Sequence, residues 1–459
     1  MDPSSAPVPR RAEGRAVRAL VPRRSLGILA DRPTSYDALA RLRERDEGRD
    51  ETLLALKYQR MLESPLAYLR GAALVMADDL TRSASTTLDV QLCGDAHLAN
   101  FGVFASPERQ LVFDINDFDE TDRGPFEWDL KRLASSVVIA SDQMGHDEVF
   151  QTTLARETAR EYQRSMLRFA TMNRLQVWYA RFDVRTLDRE LKGFFTQSAL
   201  AEAYDVIRAV RTTATHVAYE RLTERGANGL RIRSRAPHVV PLRDLGAHAA
   251  SIAGTLSEVL DRYKGSLPYD RAVLLDQFTV LDMARQVVGV GSVGTECYVV
   301  LLVGRDESDP FVLQVKEARE STSALARSLT DPMNSAERVV HGQQLMQATT
   351  DAFLGWHALA SAGVGSSFYV RQLYDHKASV DLERMDESRL LAYAKVCAWV
   401  LARAHARSGS SAQIAGYLGR GDRFAHAVGD YAVAYRDRNL ADFLSLELAA
   451  REGRVTVAR

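Results

Sequence analysis

The sequence predicts a mixed α+β chain of two lobes, the larger one helical, and three observations carry that reading. Apolar residues at three- and four-residue steps over 52–80, 146–265 and 388–409 call for amphipathic helices. Between them, at 285–317 and 368–377, the texture changes to short β-type runs such as CYVVLLVG and DPFVLQVKEA. At 459 residues the chain is also too long for one ordinary compact core.

Taken in order, residues 1–50 are rich in proline, arginine and charge and read as a partly ordered basic arm. Leu54, Tyr58, Met61 and Leu62, then Leu69, Ala73, Met76 and Leu80, keep a helical period with an interruption at Ser64-Pro65. TTLDVQLC and LVFDIND (111–117) alternate like strands, and a helix follows at 129–140. The region 146–280 reads as a helical insertion and a possible acceptor region, broken at 231–242 by RIRSRAPHVVPL, whose prolines disfavour helix. Residues 281–377 read as a small β-rich lobe containing a helix over 335–356, and 378–459 as closing helices.

Composition removes several function classes. The 59 basic and 60 acidic residues balance, so no global field calls for nucleic acid or a membrane surface. Cys93, Cys297 and Cys397 lie far apart without CxxC spacing, which argues against a disulfide framework or a zinc module. No apolar run approaches the ~18 residues of a membrane span. The arginine-rich start lacks the continuous apolar stretch of a secretory signal, and a cytoplasmic protein is expected.

GVGSVG places Gly289, Gly291 and Gly294 as GxGxxG between apolar runs. A dinucleotide site needs a helix directly after such glycines, yet TECYVVLLVG is a strand. A strand–glycine loop–strand unit is the arrangement that covers ATP phosphates in kinases. Lys316, on the next strand in VLQVKEA, stands where a lysine would reach those phosphates. Glu337 is the favoured partner for it, with Glu320 competing.

A second cluster gathers Asp95, His97, Asn100, Asp114, Asp117 and Asp119 in QLCGDAHLANFG and LVFDINDFDE. Carboxylates this dense repel unless a cation sits among them. A kinase catalytic loop carries Asp, four residues, then Asn, and a later aspartate holds magnesium. On that pattern Asp95 orients or deprotonates the acceptor hydroxyl, and Asn100 and Asp117 hold the metal. Asp119 binds a second metal or caps the next turn, and His97 serves as a local hydrogen-bond partner.

GDAHLANFG, FDINDFDE, GPFEWDLKRLA, VVGVGSVGT, LQVKEA and YVRQL together resemble the signatures of the bacterial domain of unknown function 2252 family, from about residue 50 onward. That family is similar to the kinase-like fold of aminoglycoside phosphotransferases and choline kinases. The resemblance implies a bilobal protein-kinase-like fold and a structural anchor at Asp129. Two departures stand out: Cys93 replaces the histidine ahead of the glycine, and the catalytic loop at 94–100 precedes the glycine loop and Lys316. A circularly permuted kinase fold is therefore expected, which chain continuity permits when the new termini lie at the surface.

The sequence thus predicts an ATP- and magnesium-dependent phosphotransferase acting on a hydroxyl-bearing small molecule. Only seven residues separate Asp117 from Pro125, too few for a long phosphorylated activation loop. Alternatives are a nucleotide-binding pseudokinase, a nucleotidyl transferase of the same fold, and a metal-dependent phosphoesterase, for which the histidines are too scattered.

Overall fold

In the computed structural model, which describes residues 10–181, 221–226, 229–327, 333–359, 367–373, 382 and 385–458, cap chemistry sets many of the helix starts. Helices α1 (Arg10–Leu20) and α2 (Ala38–Asp46) precede α3 (Glu51–Met61), α4 (Pro65–Gly71) and α5 (Ala73–Arg82). The interruption at Ser64-Pro65 is a helix start. The Ser64 hydroxyl accepts from Ala67 N, and Pro65 fills the first turn, where its missing N–H costs nothing.

Residues 10–50 differ from the partly ordered arm that their composition suggests. Arg18 Nε donates to Tyr417 O (2.8 Å), Arg32 bridges Asp79 and Asp442, and the buried Lys57 of α3 pairs with Asp46. The arginines that make the segment look solvated find carbonyls and carboxylates far along the chain.

The motif region follows with β1 (Asp89–Leu92), β2 (Phe101–Ala105), β3 (Leu111–Ile115) and β4 (Asp122–Pro125). β1 pairs with β4 and β2 with β3, both antiparallel. The helix read over 129–140 is α6 (Glu127–Gln143), and α7 (Glu148–Phe169) and α8 (Arg174–Tyr179) come next.

The predicted helical insertion is divided. Leu154, Ala159, Tyr162 and Met166 of α7 belong to the main core, residues 182–220 lie outside the described residues, and strands occur at 223–226, 229–232 and 239–241. There β5 (Thr223–Gly226) and β6 (Gly229–Ile232) form a hairpin, and β7 (Val239–Pro241) begins a sheet. After α9 (Ala249–Tyr263) and α10 (Tyr269–Leu275) the sheet continues with β8 (Thr279–Gln286), β9 (Cys297–Val303) and β10 (Pro310–Glu317). α11 (Thr322–Arg327), α12 (Ser335–Met346), β11 (Gly355–Ala358) and β12 (Ser367–Gln372) complete it. The helix expected over 335–356 stops at Met346, and Trp356 lies in β11. Asp351 accepts from Phe353 N and Gln372 N and turns the chain into the sheet. Of the strand read over 368–377, residues 374–377 lie outside the described residues.

The sheet runs β11-β12-β10-β9-β8-β7, antiparallel throughout. β9 reads as one apolar run because both its faces are covered. Tyr298, Val300 and Leu302 pack with α9, and Val299 and Leu301 with Ile232 of the hairpin.

α13 (Glu387–Ser408), α14 (Ser411–Leu418) and α15 (Arg423–Arg451) close the helical body, whose core joins Leu133, Tyr162, Trp399 and Tyr431 from α6, α7, α13 and α15. The last residue of α13 sits beside the first strand of the motif region, with Gln91 N donating to Ser408 Oγ at 3.1 Å.

Candidate functional site

The loop after β1 is built around a buried aspartate. Gly94 takes φ +81°, and a Cβ there would lie 1.9 Å from Glu120 O, so glycine is required on both counts. Asp129, in the first turn of α6, accepts from Cys93 N (2.7 Å) and Gly94 N (3.0 Å). His405 of α13 donates from Nε2 to the same carboxylate (3.2 Å), and its Nδ1 meets the Tyr162 hydroxyl at 2.9 Å. Three helices thereby position one loop.

Asp95 follows on that loop and is gripped by Arg132, one turn along α6 from Asp129 (Nε–Oδ1 2.5 Å). Burial pushes its carboxyl up to about 6, against the pull of Arg132. His97 Nε2 stands 3.6 Å from the other Asp95 oxygen, and its buried Nδ1 has no partner among the described residues. Burial, helped by Arg70 and Arg132, holds the His97 imidazole well below its usual range.

Asn100 ties this loop to the next. Its Nδ2 donates to Asp95 O and Asp117 O (both 3.0 Å), while its Oδ1 accepts from Asp117 N (2.9 Å). Three bonds to the main chain make it a clamp between segments, and a metal would find only the remaining lone pair of Oδ1. Asp117 is the most exposed carboxylate of the group, at 43% against 22% for Asp95 and 24% for Asp119.

Lys316 arrives from β10. The two-residue period turns Leu313 and Val315 into the core beside α9 and leaves Gln314 and Lys316 on the other face. Its Nζ donates to Asp119 Oδ2 (2.5 Å) and lies 3.9 Å from Asp117 Oδ1. Tyr369, opposite it on β12, donates to Asp119 Oδ1 (2.6 Å). Burial lowers the Lys316 ammonium, but the two carboxylates outweigh it and hold the pKa well above the usual value.

Two expectations change here. Glu337 does not pair with Lys316 and does not line the cleft; Asp119 takes the partner's place. α12, which carries Glu337, docks instead through Arg338, whose guanidinium donates to Thr121 O, Asp119 O and Arg319 O. Asp119 does not cap the next turn either: its two oxygens accept from Lys316 and Tyr369.

The glycine loop between β8 and β9 has Gly289 at φ +69° and Gly294 at φ +87°. A Cβ on Gly291 would come within 3.0 Å of Arg70 O. Its carbonyls are claimed from the N-terminal side: Arg49 Nη1 donates to Gly291 O (2.6 Å) and Val293 O (2.7 Å), Arg60 to Gly289 O, and Asp50 N to Gly294 O (3.0 Å). The N–H groups of Gly289, Gly291 and Ser292 donate to nothing among the described residues. Successive unclaimed backbone donors of this kind are suited to an anion.

Of the residues predicted from sequence, Asp95, His97, Asn100, Asp117, Asp119, Gly289, Gly291 and Lys316 line one cavity of about 530 Å³, a size suited to a nucleotide-sized ligand, and Asp114, Glu337 and Gly294 do not. Its described lining has nine arginine and lysine side chains against five aspartates and glutamates, so the balanced chain carries a locally positive cleft. Sequence reasoning missed Arg49, Arg70, Arg132 and Arg371. Only Arg132 had a local signal, its three-residue spacing from Asp129 on one helix face.

No group of three or more His, Cys, Asp or Glu side chains suited to a metal occurs among the described residues. Magnesium that arrives with phosphates needs only one or two carboxylates, and Asp117 offers one facing the cavity. No described helix is long and apolar enough to cross a membrane.

Comparison with curated proteins and with solved structures finds no match to the chain. Residues 49–449 match the family model described as uncharacterized protein conserved in bacteria, DUF2252, and the chain belongs to that family.

Proposed function

We propose that this protein is an ATP- and magnesium-dependent phosphotransferase with a permuted kinase-like fold, acting on a hydroxyl-bearing small molecule. The observation that carries the reading is that one cavity unites the glycine loop and Lys316 with Asp95, Asn100 and Asp117, segments about 200 residues apart in the chain. Counted from β8, which leads into the glycine loop and follows the edge strand β7, the lysine falls on the third strand, where kinases carry it, with α11 and α12 after it. The contact of Ser408 with Gln91 supports permutation: the path from the sheet through α13 to the Asp95 loop is continuous in space although broken in sequence.

The residues divide the work as follows. Loop N–H groups and Lys316 hold the ATP phosphates, Asp117 and the remaining lone pair of Asn100 Oδ1 hold magnesium, and Asp95 faces the acceptor. The bound metal neutralises charge on the phosphates. The acceptor oxygen forms a bond to the γ-phosphorus as the bond from that phosphorus to the β,γ-bridging oxygen breaks. ADP leaves with that electron pair, and the hydroxyl proton passes to the Asp95 carboxylate. The two-metal phosphoesterase alternative gives the glycine loop and Lys316 no task.

Calorimetric titration of ATP, with and without magnesium, into the native protein, Asp117→Ala and Lys316→Ala tests the reading. Magnesium-dependent binding weakened at least about tenfold in both variants is expected. A folded native protein that binds no ATP sinks the proposal.

A further inference from the structure

The Asp95 end of the cavity carries more positive charge than proton transfer requires. Arg132 already pairs with Asp95 from behind the cavity, and its Nη2 donates to the carbonyl of Leu69 (3.0 Å), the residue before Arg70. Arg70 lines the cavity under the glycine loop, and among the described residues its side chain makes no hydrogen bond or ion pair. Its Nε is buried without a partner.

A guanidinium that is largely desolvated and unpaired is costly, and such sites persist where a ligand supplies the missing charge. His97, lining the same cavity and only 7% exposed, is a second and independent unsatisfied group, with its Nδ1 buried and unpartnered among the described residues. Burial lowers the Arg70 pKa while Asp95 opposes that, which agrees with a cation short of counterions beside the catalytic carboxylate.

The nucleotide does not account for Arg70 as it accounts for Lys316. The loop N–H groups, Lys316 and the metal ligands form one phosphate-binding set, whereas Arg70 follows Leu69, whose carbonyl accepts from the Arg132 that pairs with Asp95, and lines the same cavity as Asp95 and His97, between the glycine loop and the place of the acceptor hydroxyl. A cationic acceptor would meet two guanidinium groups there. An acceptor with its own negative charge would satisfy Arg70, and planar guanidinium suits either phosphate or carboxylate oxygens.

We propose that the acceptor is anionic, a hydroxy compound bearing a phosphate monoester or a carboxylate, and that Arg70 grips this group while Asp95 faces the hydroxyl. The assignment rests on the phosphotransferase reading and names the substrate class of that site. Arg70 is a binding residue, His97 Nδ1 gives one further polar contact, and the bond changes are those of the transfer itself.

The test uses the full chain loaded with magnesium and the β,γ-imido analogue of ATP, titrated with inorganic phosphate and separately with acetate, in native protein, Arg70→Ala and Arg70→Lys. One of the two anions should bind the loaded native protein, and which one does so separates phosphate from carboxylate acceptors. Arg70→Ala should weaken that binding about tenfold or more and Arg70→Lys should regain part of it, with analogue affinity unchanged within about twofold. Retained analogue binding also shows that the variants are folded. The proposal is overturned if neither anion binds the loaded protein, if Arg70→Ala leaves anion binding unchanged, or if it weakens the analogue as much as the anion. Failure of the native protein to bind the analogue at all is a different result: it removes the phosphotransferase reading first, and the acceptor assignment with it.

Discussion

Lys316 Nζ donates to Asp119 Oδ2 at 2.5 Å, an ion pair closed across 197 positions of sequence. Tyr369 holds the other Asp119 oxygen, and on the proposed reading Asp117, the more exposed of the two aspartates, carries the cation. Asp119→Asn should cost about 1–3 kcal/mol in urea unfolding, below the usual penalty for breaking a fully buried pair because Asp119 is 24% exposed. ATP binding in this variant should keep its magnesium dependence, whereas Asp117→Asn should lose it. Loss of that dependence in Asp119→Asn would make Asp119 a metal ligand as well.

Asp95 is held up to about 6 by burial, with Arg132 pulling the other way. A base must be ionised to accept a proton, so conversion of ATP to ADP should rise about tenfold per pH unit up to roughly pH 6 and level off above it. Asp95→Asn should reduce turnover by about a hundredfold or more while magnesium-ATP affinity stays within about threefold. A variant with native turnover assigns Asp95 a structural role.

The chain Tyr162–His405–Asp129 ends on the N–H groups of Cys93 and Gly94. Tyr162→Phe removes one buried hydrogen bond and should cost about 1 kcal/mol in denaturant unfolding. Asp129→Asn removes the charge that three donors share, so about 2–3 kcal/mol is expected, together with slower turnover from a loosened Asp95 loop. Equal costs for the two variants would show that the relay does not converge on Asp129.

Glu161, on α7, is buried with only Ser165 Oγ donating to it among the described residues (2.9 Å), and burial pushes its carboxyl up to about 7. The native state therefore binds this proton more tightly than the unfolded chain does. The stability so gained is complete below about pH 4.5 and is lost as pH rises through 7. Glu161→Gln should accordingly raise stability at pH 8 by up to roughly 3 kcal/mol and change it little at pH 5. An equal gain in thermal midpoint at both pH values would point to packing instead.

Much of the site was legible because its parts are local. Gly94 must be glycine to turn where it does, the break at Ser64-Pro65 follows from cap chemistry, and the alternation in VLQVKEA puts Lys316 and Val315 on opposite faces. β7 stayed hidden because three residues ending in proline carry no readable period, and its discovery starts the sheet near Val239, ahead of the predicted small-lobe boundary. The end of α12 at Met346 is set by Asp351 bonding to a strand whose place no local pattern announces.

The sequence by itself determined many of the element types, the glycine loop and the gathering of Asp95, Asn100 and Asp117 in one motif region, since spacing along a helix or strand dictates which face a side chain takes. Only the tertiary structure decided who meets whom. Asp119, not Glu337, pairs with Lys316; Arg49 and Arg60 hold the glycine loop from the N-terminal segment; and Ser408 of α13 touches Gln91 of β1. Several carboxylates and arginines are chemically eligible for each such contact, and the choice among them is made by the packing of distant segments into one cleft, which no local period encodes.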